Sequence, residues 1–117
     1  VTRLTPAEVV EYGRTLRNDP AFAPEGANVN FSSLAPDGRV HLRTYEKGVE
    51  AETFACGTGS IASAVLYARD GRLKGPVQVV QRSGDVLTVS FELDDDGAHG
   101  VRLEGPVAVN FRGWTEV

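Results

Sequence analysis

The stretch that decides the fold is residues 57–69, which read GTGSIASAVLYAR. Six apolar side chains are spread around most of the circumference that a helix would present here: Ile61, Ala62, Ala64, Val65, Leu66 and Ala68. A helix that is apolar nearly all round is usually buried. We therefore predict a buried helix over Gly57–Arg69, with the rest of the chain packed around it.

Strand patterns lie on both sides of this helix. Before it, residues 27–33 and 39–45 flank the turn sequence APDG at 35–38, which predicts a β-hairpin. After it, short segments rich in Val, Leu and Phe predict four more strands, over 77–81, 86–93, 101–104 and 107–111. Turns at 83–85 and 94–100 are expected to join these strands.

A second helix is predicted near the start of the chain. Thr5 is a favoured N-cap, Pro6 suits the first helical position, and Glu8 follows the cap by three residues. Residues 18–20, Asn-Asp-Pro, end this helix. The element order predicts an α+β fold in one domain over 1–117, in which a mostly antiparallel, curled sheet wraps around a central buried helix and an N-terminal helix is added.

Composition excludes several classes of protein. The chain has 117 residues and a net charge of −4, which argues against a nucleic-acid or anionic-membrane surface. No apolar run approaches the ~20 residues of a membrane span. The single cysteine excludes an intramolecular disulfide, and no Cys/His spacing fits structural zinc. We expect a cytoplasmic protein, because one unpaired cysteine fits a reducing compartment.

The stretch that carries chemistry is 55–60, ACGTGS, where Cys56 immediately precedes the glycine-rich helix start. The first N–H groups of a helix have no intrahelical partner, and together with the helix dipole they favour an anion such as a carboxylate. The same field favours the thiolate form of Cys56. The segment predicts a carboxylate held close to an acid–base thiol. The alternative is that Cys56 is a small buried hydrophobe in a tight turn.

Two pairs of polar residues are further candidates. Glu46 is suited to a substrate ammonium and Lys47 to a carboxylate, although the two also fit a solvated pair before a turn. Asn28 and Asn30 share one side of the predicted strand, where they face either a ligand or solvent at an edge.

Three remaining features favour ordinary structural roles. His41 is a conceivable partner of Cys56 in nucleophilic catalysis, but no third group that would orient the pair is evident. The run Asp94-Asp95-Asp96 lacks the full spacing of a calcium loop and fits a charged hairpin tip. Glu50 and Glu52 are expected to be solvated.

Four segments together resemble the second half of the diaminopimelate epimerases. Residues 43–50, RTYEKGVE, and residues 52–59, ETFACGTG, resemble the principal motif of that half. Residues 27–31, ANVNF, resemble its asparagine segment, and residues 103–107, LEGPV, resemble its Thr-Gly-Pro-Ala segment. The resemblance covers about residues 22–113.

The resemblance implies an isomerase of lysine and cell-wall precursor synthesis that uses neither pyridoxal phosphate nor metal. In this family, one cysteine from each of two pseudo-symmetric halves faces the substrate α-carbon. Cys56 would be the second-half cysteine. Gly57 and Thr58 would offer backbone N–H groups to the α-carboxylate. The remaining binding residues would be Glu46 for the ammonium group, and Asn28 and Lys47 for the distal carboxylate.

Two departures from the family pattern qualify this picture. Lys47 stands where arginine is common, and lysine keeps the charge but loses the two-pronged donor. The first half is missing, so we expect a C-terminal half that is inactive without its N-terminal half and that binds that half or forms a homodimer. The alternatives are a related racemase for another amino acid and a non-catalytic carboxylate-binding module.

Overall fold

The computed structural model describes residues 3–116 and contains two α-helices, one short 3₁₀ helix and six strands. The helices are α1 (Pro6–Arg17) and α2 (Gly57–Arg69), and the 3₁₀ turn is Pro20–Phe22. The strands are β1 (Val29–Leu34), β2 (Val40–Glu46), β3 (Ala51–Thr53), β4 (Val77–Val80), β5 (Val86–Asp94) and β6 (Gly97–Glu104). The predicted boundaries of α2 agree with the structure to the residue.

The six strands form one open, mixed sheet. Its order is β1-β2-β4-β5-β6, and β3 pairs with the end of β2 beside that path. Every pairing is antiparallel except that of β2 with β4, which is parallel. The chain between these two strands contains α2, which provides the crossover that a parallel pairing needs. The prediction of an α+β fold with a mostly antiparallel sheet is confirmed.

Strand β2 is covered on both faces, which explains its unbroken burial from Leu42 to Tyr45. On one face, Val40 and Leu42 join the core cluster with Ala64 of α2. On the other face, Tyr45 packs against Gly13 of α1. The two helices therefore lie on opposite sides of this strand.

Helix α1 begins as its sequence predicts. The Thr5 hydroxyl accepts a hydrogen bond from the Glu8 N–H, and the Glu8 carboxylate accepts one from the Thr5 N–H at 2.7 Å. Further along, a Cβ atom at Gly13 would lie only 2.5 Å from Cγ and 2.8 Å from Cδ2 of Tyr45. Glycine at this position is what lets α1 approach β2 so closely.

Helix α2 packs on one face of the sheet, where it contacts β1, β2, β4, β5 and β6. The face that it buries carries small residues, namely Gly59, Ser60, Ser63 and Ala64. The prediction of burial all round is wrong for one side, because Leu66 is 64% exposed. The sheet is not closed, so it covers only part of the helix.

Two predictions in the C-terminal third need correction. Residues 107–111 lie outside any strand, and Val107 and Phe111 are 98% and 86% exposed. Their alternating pattern is typical of a strand, but a strand needs a neighbour, and no strand of the described chain pairs with this segment. The turn expected over 94–100 is much shorter, since Asp94 already pairs with Gly97.

Neither α-helix of residues 3–116 combines the length and apolar content that crossing a bilayer requires.

Candidate active site

Cys56 is the N-cap of α2, as its position before the glycine-rich segment predicts. Its backbone is extended, with φ −145° and ψ 108°, and its carbonyl accepts the first helical hydrogen bond, from the Ser60 N–H, at 3.0 Å. The Gly59 N–H donates to Sγ of Cys56 at 3.3 Å. The thiol sulfur therefore occupies the place that a serine or threonine hydroxyl usually takes at a helix start.

The next two backbone N–H groups, of Gly57 and Thr58, precede the hydrogen-bond ladder of the helix. Thr58 is exposed and Gly57 is half-buried, so this end of the helix faces solvent. Oγ1 of Thr58 lies 3.5 Å from Sγ of Cys56. A helix end of this kind attracts a carboxylate, and here a carboxylate would lie next to the thiol.

Asn30 is the polar residue that the structure brings against the start of α2. A Cβ atom at Gly59 would lie 3.0 Å from Cγ of Asn30 and 3.2 Å from Sγ of Cys56, and closer still to Oδ1 of Asn30. The Thr44 hydroxyl donates to that Oδ1 at 2.8 Å, which fixes the amide. The sequence offered both asparagines as candidates, and the residue packed beside Cys56 is Asn30.

Asn28, Glu46 and Lys47 gather at the adjoining end of the β1–β2 ladder. Oδ1 of Asn28 accepts a hydrogen bond from the Lys47 N–H at 2.8 Å. Asn28 precedes Asn30 by two residues, or about 7 Å along a strand. Asn28 and Lys47 are exposed, whereas Glu46 is half-buried and pairs opposite Ala51. The structure thus brings these three predicted residues together.

Glu52 does not lie in solvent as expected. Its carboxylate accepts two hydrogen bonds from Arg43, one from Nε at 2.6 Å and one from Nη2 at 2.8 Å. Both side chains are almost fully buried. Nη1 of Arg43 also donates to the Leu4 carbonyl. The hydrogen bond with Glu52 raises the pKa of Arg43. This two-pronged pair ties the segment before Cys56 to the middle of β2.

Glu50 is exposed, as expected, but it is also bonded. Its carboxylate accepts hydrogen bonds from the Gly48 N–H at 3.1 Å, from Nε of Arg17 at 2.9 Å and from the Tyr45 hydroxyl at 3.2 Å. The Gly48 N–H bond is the main cause that lowers the pKa of Glu50. These bonds hold the turn after β2 against α1.

His41 lies away from Cys56. By the alternation of the strand it shares the α1 face of β2 with Arg43 and Tyr45, and it lines a cavity of about 290 Å³ with Leu4 and Arg82. Cys56 begins the helix on the opposite face. The structure therefore does not support a Cys56–His41 pair.

The acidic run at residues 94–96 lies at the tip of the β5–β6 hairpin. Oδ1 of Asp94 accepts the N–H groups of Asp96 and Gly97, and Oδ2 lies 2.8 Å from Nε2 of His99. This is the charged hairpin tip that the sequence favoured. Within residues 3–116, no group of three or more His, Cys, Asp or Glu side chains is arranged to hold a metal ion.

Two buried side chains form hydrogen bonds with the backbone of Cys56, and the sequence predicted neither of them. Oε1 of Gln81 accepts the Cys56 N–H at 3.0 Å. The Ser60 hydroxyl donates to the Cys56 carbonyl at 2.7 Å. The sequence did contain a signal for Gln81, because Val77, Val79 and Gln81 alternate inward along one edge of the core.

Comparison with known proteins agrees with the resemblance that the sequence motifs carry. The family model described as diaminopimelate epimerase matches residues 1–109. This chain belongs to the diaminopimelate epimerase family. Three similar relatives carry that name. The protein of Aquifex aeolicus (strain VF5) is 46% identical over 87 residues, and that of Hydrogenobaculum sp. (strain Y04AAS1) is 40% identical over 107 residues. The protein of Chlorobaculum tepidum is 37% identical over 115 residues.

The chain accounts for only part of each of these relatives. The matches cover 74%, 91% and 97% of this chain, but 31%, 37% and 43% of the respective relatives. The chain therefore spans less than half of the length of these relatives.

Proposed function

We propose that this chain supplies one side of a diaminopimelate epimerase active site, with Cys56 as a proton-transfer group. The observation that carries the proposal is the thiol at the N-cap of α2, where Sγ accepts a hydrogen bond from the Gly59 N–H. The neighbouring N–H groups of Gly57 and Thr58 have no partner within the helix. Family membership supplies the substrate class, an α-amino acid with a second amino-acid end.

The proposed reaction divides between binding and proton transfer. The α-carboxylate binds at the N–H groups of Gly57 and Thr58, and Glu46 accepts the substrate ammonium. The Cys56 thiolate takes the α-proton, and the electron pair of the broken C–H bond stays on the α-carbon. A carboxylate held at the helix start spreads that charge toward the backbone donors. Asn28 and Lys47 hold the distal end.

Inversion at one carbon needs a second acid–base group on the opposite face of the substrate. The chain has a single cysteine, and the structure places His41 on the other side of β2. We therefore propose that the second group comes from outside this chain, from an N-terminal half of the enzyme or from a second copy. The 31–43% coverage of the relatives supports the first source.

The test is exchange of the substrate α-proton with solvent. LL-diaminopimelate is incubated in D2O with this chain, alone and mixed with the remaining part of the Chlorobaculum tepidum relative, and the α-proton signal is followed by NMR. We expect exchange and inversion in the mixture, and loss of both in Cys56→Ala. Exchange that persists in Cys56→Ala would contradict the proposal.

The same exchange measurement, accompanied by a binding measurement and repeated with proline and glutamate, distinguishes two rival functions. The exposed helix start at Thr58 also suits a module that binds carboxylates without chemistry, which would bind the substrate but never exchange its α-proton. Lys47, which stands where arginine is common in the family, also fits a racemase of another amino acid. Such an enzyme would exchange the α-proton of proline or glutamate faster than that of diaminopimelate. Either result would replace the proposed activity.

A further inference from the structure

We propose that Gln81 and Ser60 are positioning residues that hold the peptide groups on both sides of Cys56 and thereby aim its thiol. This inference rests on the proposed function, because it assigns a purpose to the precision with which Cys56 is held. The side chains of these two residues form no hydrogen bond with Sγ; they bond to the backbone of Cys56. They therefore act through Cys56 and do not transfer protons themselves.

The hydrogen bonds form a closed ring. The Cys56 N–H donates to Oε1 of Gln81 at 3.0 Å, and Nε2 of Gln81 donates to Oγ of Ser60 at 2.9 Å. The Ser60 hydroxyl then donates to the Cys56 carbonyl at 2.7 Å, which closes the ring on the same residue. Both polar groups of the Cys56 backbone are thus engaged by side chains.

The ring is buried and fully satisfied. Cys56, Ser60 and Gln81 are 7%, 0% and 5% exposed. The second N–H of the Gln81 amide donates to the Val79 carbonyl at 3.2 Å, so every polar atom of the amide has a partner. A flipped amide would turn its NH2 group toward the Cys56 N–H and face donor with donor, so this network permits one orientation only. Buried networks of this kind rigidify the residues that they join.

The ring leaves Cys56 with little freedom except rotation about its Cα–Cβ bond. The rotamer present places Sγ at 3.3 Å from the Gly59 N–H and 3.5 Å from Oγ1 of Thr58. Proton transfer to carbon depends steeply on such placement, since an error of about 1 Å costs about 100-fold in rate. Holding the backbone of a lone catalytic residue at both ends is a direct way to limit that error.

The decisive variants are Gln81→Met, which removes the amide, and Ser60→Ala, which removes only the hydroxyl. Gln81→Glu keeps an acceptor oxygen for the Cys56 N–H, and its protonated carboxyl group keeps one of the two donor bonds of the amide, so it serves as the conservative variant. The matched control is Gln78→Met, on β4. Gln78 is exposed on the opposite face of β4 from Val77 and Val79, and its Oε1 accepts a hydrogen bond from Nε of Arg39 at 3.1 Å.

Three measurements are made on each variant. Thermal unfolding shows that the chain is folded. The infrared S–H stretch of the 117-residue chain, recorded under acidic conditions in which the thiol is protonated, reports Cys56 alone, because the chain has no other cysteine. Steady-state exchange of the α-proton of diaminopimelate, with the complementing part of the relative present, gives kcat and KM separately.

We expect Gln81→Met to lower kcat by about 10- to 100-fold with KM nearly unchanged, and to broaden the S–H band. Ser60→Ala is expected to show a smaller change of the same kind, Gln81→Glu a partial recovery, and Gln78→Met the wild-type values. If Gln81→Met does not fold, Ser60→Ala decides. A folded ring variant with an unchanged kcat and an unchanged S–H band would overturn the positioning role.

The outcomes separate this inference from the proposed function. If the wild-type mixture shows no α-proton exchange, the proposed function fails, whereas the S–H bands still decide whether the ring holds the thiol. If the wild type exchanges and the ring variants are unaffected in both readouts, the proposed function stands and the positioning role fails.

Discussion

The two helices of this chain begin with the same kind of bond made by different atoms. At α1 the Thr5 hydroxyl accepts the N–H of Glu8, and at α2 the Cys56 sulfur accepts the N–H of Gly59. Thr5 and Glu8 cap one another at the surface without help. Cys56 is buried, and Gln81 and Ser60 hold its backbone.

The difference supports the proposal that the start of α1 serves stability and the start of α2 serves chemistry. Threonine is a preferred N-cap and cysteine is not, so the cap of α2 is weaker than a threonine or serine cap would be. The surrounding buried hydrogen bonds maintain the geometry that the cap alone would not. Functional sites often contain a residue that local preferences disfavour, held in place by neighbouring groups, and Cys56 at this N-cap fits that description.

The largest expected effect is that of Gly59→Ala, which disturbs the start of α2 beside Cys56. The added Cβ would crowd the Asn30 amide and approach Sγ of Cys56 to 3.2 Å, so both groups must shift. We expect α-proton exchange in the complemented protein to fall by about 100-fold. Gly113→Ala is the control, because a Cβ there meets nothing within 4 Å. Wild-type exchange in Gly59→Ala would show that the helix start tolerates displacement.

Gly13→Ala is the corresponding change in α1, and we expect it to affect stability. In an open helix interior it would stabilise the protein by about 1 kcal/mol. Here the new Cβ would lie 2.5 Å from Cγ of Tyr45, so we expect a net loss of about 1–3 kcal/mol in the free energy of unfolding, measured with urea. Thr15→Ala, on the exposed side of the same helix, should cause no such loss. Stabilisation by Gly13→Ala would mean that α1 is free to move away from β2.

A smaller, pH-dependent effect is expected at Glu8. The Thr5 N–H, and after it the Thr5 hydroxyl, hold the pKa of Glu8 below its usual value in the folded chain. A pKa lowered by folding adds stability that is complete above the unfolded pKa and is lost as pH falls through the folded pKa. We therefore expect the free energy of unfolding of the wild type to fall more steeply below about pH 5 than that of Glu8→Gln. Glu11→Gln, on the same helix, is the control, and equal slopes for wild type and Glu8→Gln would contradict the bond.

Local signals in the sequence predicted most of the fold. The Thr5-Pro6-x-Glu8 pattern located α1, and the start of α2 followed from Cys56 and the glycines after it. Pairing between distant segments of the chain was harder to predict from the sequence. Residues 107–111 have a strand pattern without a strand partner in the described chain, and no local feature distinguishes that case from a paired strand.

The candidate site was predictable where it depends on backbone chemistry. Cys56 lies at the helix start that its sequence context predicts. The grouping of Asn28 with Lys47 came from the family resemblance, and the structure joins the two by a hydrogen bond from the Lys47 N–H to Oδ1 of Asn28. The side-chain partners were not predictable, because they join residues far apart in the chain. Glu52 was expected in solvent but binds Arg43, and Gln81 reaches Cys56 across 25 positions.

The central claim is that the α2 start is built for proton transfer and the α1 start for stability. The measurement is a paired one, of free energy of unfolding and of α-proton exchange in the complemented protein, for Thr5→Ala and Cys56→Ser. We predict that Thr5→Ala loses about 1 kcal/mol of stability while its folded fraction exchanges at the wild-type rate. Cys56→Ser should keep or gain stability and lose exchange. Exchange that survives in Cys56→Ser would contradict the account.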